Sequence, residues 1–218
     1  RGCLARCGVN PKHHPADLTM ALGAGSTTPL EMARGYAVFA NGGYLVEPYF
    51  ISHIEDIEGN LIFKTKSQRK RTTADQVLDT RNVFTMSSLL RNVIQTGTGI
   101  RAKSLRRKDL AGKTGTTNDN IDAWFAGFQR RVVAITWVGK DQPGPLGDKE
   151  TGSKAALPIW IDYMKTALKE FPEEKPLARP EGIRSILIDP ETGLPNEEGV
   201  IEYFYEENAP RTDSGALF

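Results

Sequence analysis

The sequence predicts a mixed α/β fold of the α+β kind, in which an antiparallel sheet is flanked by helices. Three observations predict it. Apolar residues recur at helical spacing in several segments, short aromatic and β-branched runs have strand character, and glycine- or proline-containing turns separate the two kinds of segment. The 218 residues are enough to bury one good core and too few for two large ones.

Composition excludes several classes of function. Hydrophobic residues make up 39%, charged residues 25%, and the formal net charge is +1, so no overall basic charge indicates a nucleic acid partner. No apolar run is long enough to cross a bilayer, and residues 1–7 are not typical of a secretion signal. Cys3 and Cys7 have no accompanying histidine cluster, so we expect no metal site.

The first predicted element is the end of a helix. Residues 1–10 have the pattern of last helical turns, and Gly8 and Pro11 are stop signals. No capping residue precedes this segment. We therefore expect a chain truncated on its N-terminal side.

A complete helix is predicted next. Thr28 can accept a backbone N–H bond, Pro29 occupies a position where its missing donor is not needed, and Glu31 completes a capping box. Asn41-Gly42-Gly43 ends the helix. Its expected core-facing stripe consists of Leu30, Ala33, Ala37 and Ala40.

Strand and helix signals then alternate. A β-hairpin is predicted from Tyr49–Asp56 and Leu61–Phe63, joined by a turn at 58–60, and a helix is predicted over Thr80–Thr96. The apolar run in 131–138 favours a buried strand. A further helix should follow with Pro158 in its first turn, and Ile186–Ile188 should form a strand entering a turn.

The segment from Ala111 to Gly127 contains the candidate functional residues. It contains Lys113-Thr114-Gly115, a tripeptide found in active sites of serine acyl-transferring enzymes. A strand at a sheet edge can clamp an extended peptide through main-chain hydrogen bonds, and the lysine ammonium with the threonine hydroxyls can bind a terminal carboxylate. Gly115 lets a substrate backbone lie close. We therefore assign substrate binding to Lys113, Thr114, Gly115 and Thr116.

The same strand can supply an electrostatic contribution. The backbone N–H of Thr116 would point toward the substrate, where a donor aimed at a developing oxyanion contributes about 3 kcal/mol. We predict that Thr116 forms one half of an oxyanion hole. By contrast, we expect Asp122 to cap a strand and Trp124 and Phe125 to be core aromatics.

No serine of this chain fits the role of nucleophile. Ser67-Gln68-Arg69-Lys70 matches Ser-x-x-Lys, but it lies in a basic, polar stretch with nothing apolar to bury it, so we interpret it as a coincidence. Ser87 precedes Arg91, which cannot act as a base. The nucleophile is expected outside these residues.

Several motifs in order give a family resemblance. Met20–Gly25, Thr28–Ala37, Ala40–Gly43 and Lys113–Gly127 resemble the transpeptidase domain of class A penicillin-binding proteins. The resemblance implies a penicillin-binding transpeptidase or serine β-lactamase-like fold, here without its N-terminal side. It also implies that Lys113, Thr114 and Thr116 bind the carboxylate of the substrate or drug, while the family's Ser-x-x-Lys and Ser-x-Asn motifs lie upstream.

The resemblance further implies a function for the parent protein. That protein would be a serine-type D-Ala-D-Ala transpeptidase or carboxypeptidase that cross-links peptidoglycan stem peptides, is acylated by β-lactam antibiotics and uses no cofactor. It would also carry a glycosyltransferase domain and a single membrane anchor, on the periplasmic face of the bacterial inner membrane. The alternatives are a catalytically silent sensor of β-lactams or muropeptides, and a structural module of the same fold.

We expect three parts along the chain. Residues 1–170 would form the C-terminal portion of the transpeptidase domain, 171–182 a proline-rich linker, and 183–218 a C-terminal extension. The last fifteen or so residues are acidic and then small and polar, so we expect them to fray.

Overall fold

The computed structural model describes residues 1–65 and 75–210. Its α-helices are α1 (Gly2–Arg6), α2 (Pro29–Ala40), α3 (Thr80–Gln95) and α4 (Leu157–Ala167). Its strands are β1 (His53–Glu55), β2 (Leu61–Lys64), β3 (Ala111–Thr116), β4 (Ala123–Gln129), β5 (Val132–Val138), β6 (Ile183–Ile188) and β7 (Val200–Tyr205). A π-helical turn, Gly152–Ala156, leads into α4. Within the described ranges, no helix has both the length and the apolarity needed to span a membrane.

The centre of the molecule is a three-stranded antiparallel sheet in the order β3-β4-β5. On one face, Trp160 of α4 packs edge-on against Phe125 of β4, with ring centroids 4.9 Å apart, and both side chains are fully buried. On the other face, Phe128 and Ala111 pack with Ala40 of α2 and Leu90 of α3. The predicted antiparallel sheet between helices is therefore confirmed.

Local signals placed the helix ends correctly. The capping box of α2 is complete, because Glu31 N–H donates to Thr28 Oγ1 at 3.2 Å and Thr28 N–H donates to Glu31 at 2.9 Å. The predicted core stripe is wrong at Leu30, which is half exposed. The reason is that α2 buries its last turn, with Val38 and Ala40, while its first turn lies outside the core clusters.

The predicted hairpin forms, and the predicted strand in 131–138 forms without the expected burial. Strands β1 and β2 pair antiparallel, but every residue of both is exposed. Strand β5 covers most of the predicted 131–138 run, yet its side chains are half-buried, apart from the exposed Trp137. The physical reason is that β5 is an outer strand of its sheet, so in the part of the chain that the structure describes no further strand shields its far side.

The C-terminal part folds back onto α3. Strands β6 and β7 form a second hairpin, and Tyr203 packs edge-on against Phe84 with centroids 5.0 Å apart. Arg81 donates to both carboxylate oxygens of Glu207 at 3.0 and 3.1 Å. The expectation of fraying is thus wrong for the residues up to 208, because aromatic packing and an ion pair hold them. Residues 211–218 lie outside the described ranges.

The segment predicted as a linker has no helix or strand between 172 and 180, but it is attached to the body. Arg107 donates to the carbonyl oxygens of Phe171 and Pro172 at 2.8 and 3.0 Å, and the backbone N–H of Lys108 donates to Glu173 at 2.6 Å. The limits proposed for the three parts stay predictions.

Candidate functional site

The Lys-Thr-Gly tripeptide lies on an outer strand of the central sheet. Strand β3 pairs with β4 on one side only, so its other edge has no strand partner among the described residues. The strand begins buried at Ala111 and Gly112 and becomes accessible toward its end, where Lys113 and Thr116 are exposed. An accessible edge of this kind can accept an extended peptide.

The hydrogen-bond ladder shows which backbone groups face that open edge. Thr117 N–H donates to the carbonyl oxygen of Asp122 at 3.1 Å, which continues the β3–β4 register by one pair. In an antiparallel ladder, residues bonded to the partner strand alternate with residues whose N–H and C=O point away from it. Because Thr117 is bonded to the partner, the N–H groups of Thr116 and Thr114 are directed to the open edge.

The ammonium of Lys113 reaches round to this edge. Its Nζ donates to the carbonyl oxygen of Thr114 at 2.7 Å and lies 3.5 Å from Thr114 Oγ1. Along a strand, side chains alternate between the two faces, so Lys113 starts on the face opposite to Thr114 and Thr116. The contact with Thr114 therefore brings the positive charge to the side where the hydroxyl groups lie.

Two groups from other elements hold the threonine side chains. Thr98, in the turn after α3, shares a hydrogen bond of 2.7 Å with Thr114 through their Oγ1 atoms. The backbone N–H of Gly152 donates to Thr116 Oγ1 at 3.1 Å, which leaves the hydroxyl hydrogen of Thr116 free to donate elsewhere. Sequence reasoning missed both contributors. Thr98 lies between two glycines just after the predicted helix, where the sequence indicates only a helix end, and no local pattern indicates Gly152.

The loop after β3 is fixed by its own polar contacts. Asp122 N–H donates to Thr117 Oγ1 at 2.7 Å, and Asp122 Oδ1 accepts from Trp137 Nε1 at 2.8 Å. Phe125 is a core aromatic as predicted. Trp124 is only half-buried and lies against Trp137, with centroids 6.0 Å apart, so that part of the prediction is wrong. Trp124 lies on the other face of the sheet from Phe125, and its partners across the strands are Gly115 and the exposed Trp137 rather than core residues.

The structure brings together Lys113, Thr114, Gly115 and Thr116, and leaves Lys113 and Thr116 exposed. The Ser-x-x-Lys match at Ser67 lies outside the described residues. Ser87 is buried in α3. The candidate site is thus an exposed strand edge that carries an ammonium, hydroxyl groups and outward N–H groups.

Comparison with known proteins identifies the family. A family profile described as the penicillin-binding protein transpeptidase domain matches residues 8–165, which is most of the chain. The chain belongs to this family. The match includes β3 and the turn that contains Gly152, so the edge described above lies inside the transpeptidase domain.

Relatives agree with this assignment. The chain is 44% identical over 180 residues to penicillin-binding protein 1A of Neisseria flavescens, covering 83% of this chain and 22% of that protein. It is 37% identical to penicillin-binding protein 1A of Pseudomonas aeruginosa, covering 95% of this chain and 31% of that protein. The chain therefore spans between a fifth and a third of these relatives.

A solved structure agrees with the fold. Penicillin-binding protein 1A from Haemophilus influenzae superposes with a TM-score of 0.85 at 39% sequence identity, covering 95% of this chain and 36% of that one. The penicillin-binding protein PonA1 from Mycobacterium tuberculosis, at 23% identity and a TM-score of 0.69, supports the fold alone. This transpeptidase-domain chain thus has the predicted penicillin-binding transpeptidase fold.

Proposed function

We propose that this chain supplies the substrate-binding strand of a serine D,D-transpeptidase that cross-links peptidoglycan stem peptides. The observation that carries the proposal is the convergence at one open strand edge of the Lys113 ammonium, the Thr116 hydroxyl and the outward N–H of Thr116. A positive charge, a hydroxyl donor and a main-chain donor are what a peptide ending in a carboxylate requires.

Each group has a definite task in this proposal. The stem peptide lies extended along β3, and its terminal carboxylate binds the Lys113 ammonium together with the hydroxyl groups of Thr114 and Thr116. A serine supplied from outside these residues attacks the carbonyl carbon of the penultimate D-Ala. The carbonyl oxygen becomes an oxyanion, which accepts a hydrogen bond from Thr116 N–H. The peptide C–N bond then breaks, and D-Ala leaves as the protonated amine.

The second half-reaction completes the transfer. An amine from another stem peptide attacks the acyl-serine ester, the serine hydroxyl is regenerated, and a cross-link forms. A β-lactam enters at the first step, since its carboxylate and strained carbonyl occupy the same two subsites. Its opened ring keeps the leaving group attached, so the enzyme stays acylated. No cofactor takes part in these steps.

The parent protein is proposed to resemble penicillin-binding protein 1A as a whole, with a membrane anchor, a glycosyltransferase domain and a periplasmic location. The sequence identity to the relatives supports this reading. The same strand edge would also serve a silent sensor that binds β-lactams or muropeptides without turnover. The residue at the serine position of the parent's Ser-x-x-Lys motif decides between the two.

Replacement of Lys113 tests the proposal in the full-length parent protein. Lys113→Ala removes charge-assisted hydrogen bonds of about 1.5–3 kcal/mol, so the rate of acylation by a fluorescent penicillin should fall roughly 10- to 100-fold. Because Lys113 is exposed, the thermal unfolding midpoint should hardly change. Lys165→Ala, which replaces another exposed lysine, on α4, is the matched control. An unchanged acylation rate in Lys113→Ala would remove the case for this strand.

The 218-residue chain gives a complementary test. Incubated alone with the fluorescent penicillin, it should form no covalent adduct, because the nucleophile is expected elsewhere. A stable adduct mapped by mass spectrometry to any serine of this chain would show that the nucleophile had been wrongly placed.

A further inference from the structure

Arg101 is a basic residue beside the Lys-Thr-Gly edge to which the proposed function assigns no task. It lies in a 3₁₀-helical turn, Ile100–Leu105, between α3 and β3, and its side chain is exposed. Its guanidinium Nη1 donates a hydrogen bond to the carbonyl oxygen of Ser153 at 3.3 Å. Ser153 follows Gly152 in the π-helical turn that leads into α4. Arg101 therefore connects two separate elements that both lie against β3.

The chain just before Arg101 contacts one threonine of β3. Thr98 shares a hydrogen bond of 2.7 Å with Thr114 through their Oγ1 atoms. The backbone here has the bonds of a 3₁₀ helix, since Ala102 N–H donates to the carbonyl oxygen of Gly99 at 2.9 Å. Side chains three residues apart eclipse in such a winding, so Arg101 follows Thr98 on the same side of the turn.

The π-helical turn contacts the other threonine of β3. The backbone N–H of Gly152 donates to Thr116 Oγ1 at 3.1 Å. A Cβ built at Gly152 would lie 2.5 Å from the carbonyl oxygen of Gly115, so this turn lies directly on the strand between the two threonines. The Arg101 guanidinium is therefore held at the face of β3 that carries the threonine hydroxyl groups, opposite the face from which Lys113 starts.

The guanidinium has donors and charge to spare. It carries five N–H donors, and in the described part of the chain the Ser153 carbonyl accepts from one of them. No carboxylate within residues 1–65 and 75–210 forms an ion pair with Arg101, and this includes the acidic residues of the loops that precede β4 and the π-helical turn, Asp119, Asp122, Asp148 and Glu150. A planar fork of donors with an uncompensated positive charge matches the two oxygens of a carboxylate.

We propose that Arg101 is a further substrate-binding residue, which binds the terminal carboxylate of a stem peptide or a β-lactam together with Lys113. This role rests on the proposed function and adds a second cation to its carboxylate subsite. The Lys113 ammonium comes round the open edge of β3, whereas the guanidinium approaches over the face that carries Thr114 and Thr116. The two cations thus converge on the hydroxyl groups, and the carbonyl oxygen of Ser153 holds the guanidinium in position.

The test compares two substrates of the full-length parent protein that differ only in the carboxylate. Both are N-acyl-D-Ala thioesters; the leaving group of one ends in a carboxylate, and in the other this group is a methyl ester. In Arg101→Met, loss of a charge-assisted bond should lower kcat/KM about 10-fold for the carboxylate thioester and less than about twofold for the methyl ester. Arg101→Lys should recover part of the loss, because it keeps the charge. Arg184→Met, at an exposed arginine on β6, is the matched control and should leave both values unchanged.

The ratio of the two kcat/KM values does not depend on stability, since both substrates report on the same folded fraction. An equal loss with both thioesters in Arg101→Met, or no loss with either, would overturn the role of Arg101 and leave the proposed function standing. If the unaltered parent released no thiol from the carboxylate thioester, the proposed function and the role of Arg101 would both be overturned.

Discussion

Gly152 has no room for a side chain, and its replacement should damage the candidate site from outside the strand. A Cβ built at this position lies 2.5 Å from the carbonyl oxygen of Gly115 and 3.1 Å from its nitrogen, and it comes still closer to the carbonyl oxygen of Trp124. These contacts are with backbone on both β3 and β4. Side-chain rearrangement therefore cannot relieve them, and the turn must move off the sheet.

The size of the movement follows from these distances. Ordinary contact begins near 3.4 Å, so Gly152→Ala must separate the turn from Gly115 by about 0.9 Å. The bond from Gly152 N–H to Thr116 Oγ1, now 3.1 Å, would then lengthen beyond hydrogen-bonding range. Overpacking of this kind destabilises by about 1–3 kcal/mol. A misplacement of about 1 Å in a catalytic constellation can lower the rate by up to ~10²-fold.

Two assays measure these effects. Thermal unfolding of the 218-residue chain should show a midpoint lower by about 2–4 °C for each kcal/mol lost. In the full-length parent, acylation by a fluorescent penicillin should be slower than the stability loss alone explains. Gly144→Ala is the control, because a Cβ there meets only a carbonyl oxygen of Gln142 at 3.9 Å. If Gly152→Ala kept wild-type stability and wild-type acylation, the claim that β3 and β4 leave no room for a side chain at Gly152 would be contradicted.

Three further changes test the core and its titrating groups. Burial raises the pKa of Tyr36 to about 12 from 10.0. The neutral phenol therefore stabilises the folded state below about pH 10, and this contribution of about 2–3 kcal/mol is lost as the pH rises to 12. Tyr36→Phe should make the free energy of unfolding depend less on pH in the alkaline range, whereas Tyr163→Phe, at an exposed tyrosine, should not. Burial alone would raise the pKa of Asp109, but hydrogen bonds from Arg107 and a backbone N–H lower it overall. The ionised carboxylate therefore stabilises the folded state above about pH 4, and this stabilisation is lost on acidification. Asp109→Asn should lower the free energy of unfolding by about 3–5 kcal/mol in urea at pH 7 and should make that free energy depend less on acidic pH. Phe125→Ala, at a fully buried side chain, should lower the free energy of unfolding by about 3–5 kcal/mol in the same assay, and a loss below 1 kcal/mol would contradict the core assignment.

Local patterns gave correct predictions wherever the cause acts over a few residues. The capping box at Thr28 and Glu31 forms as expected, and α3 ends at Gln95, one residue short of the predicted limit. Caps and turns are properties of neighbouring backbone groups, so the sequence specifies them directly. The placement of Lys113 on an outer strand also agrees with the expectation, although the catalytic roles of Thr116 and its neighbours stay predictions.

Predictions failed where burial depends on distant partners. Leu30 has the spacing of a core residue but lies in an exposed turn, and the apolar run of β5 is half exposed. No strand was predicted for residues 200–205, where β7 forms and Tyr203 packs against Phe84 of α3. A side chain's neighbours across the fold are not encoded in its own segment.

The sequence by itself determined the family, the helices with their caps, the hairpin turns and the residues that face a substrate in the proposal. Tertiary structure alone decided that Thr98 and Gly152 hold the threonines of β3 and that Arg101 contacts Ser153, 52 residues further along the chain. The physical reason is the distance along the chain over which each kind of interaction acts. Backbone propensities act between near neighbours, whereas hydrogen-bond partners and enclosed volumes arise only when separate elements have packed together.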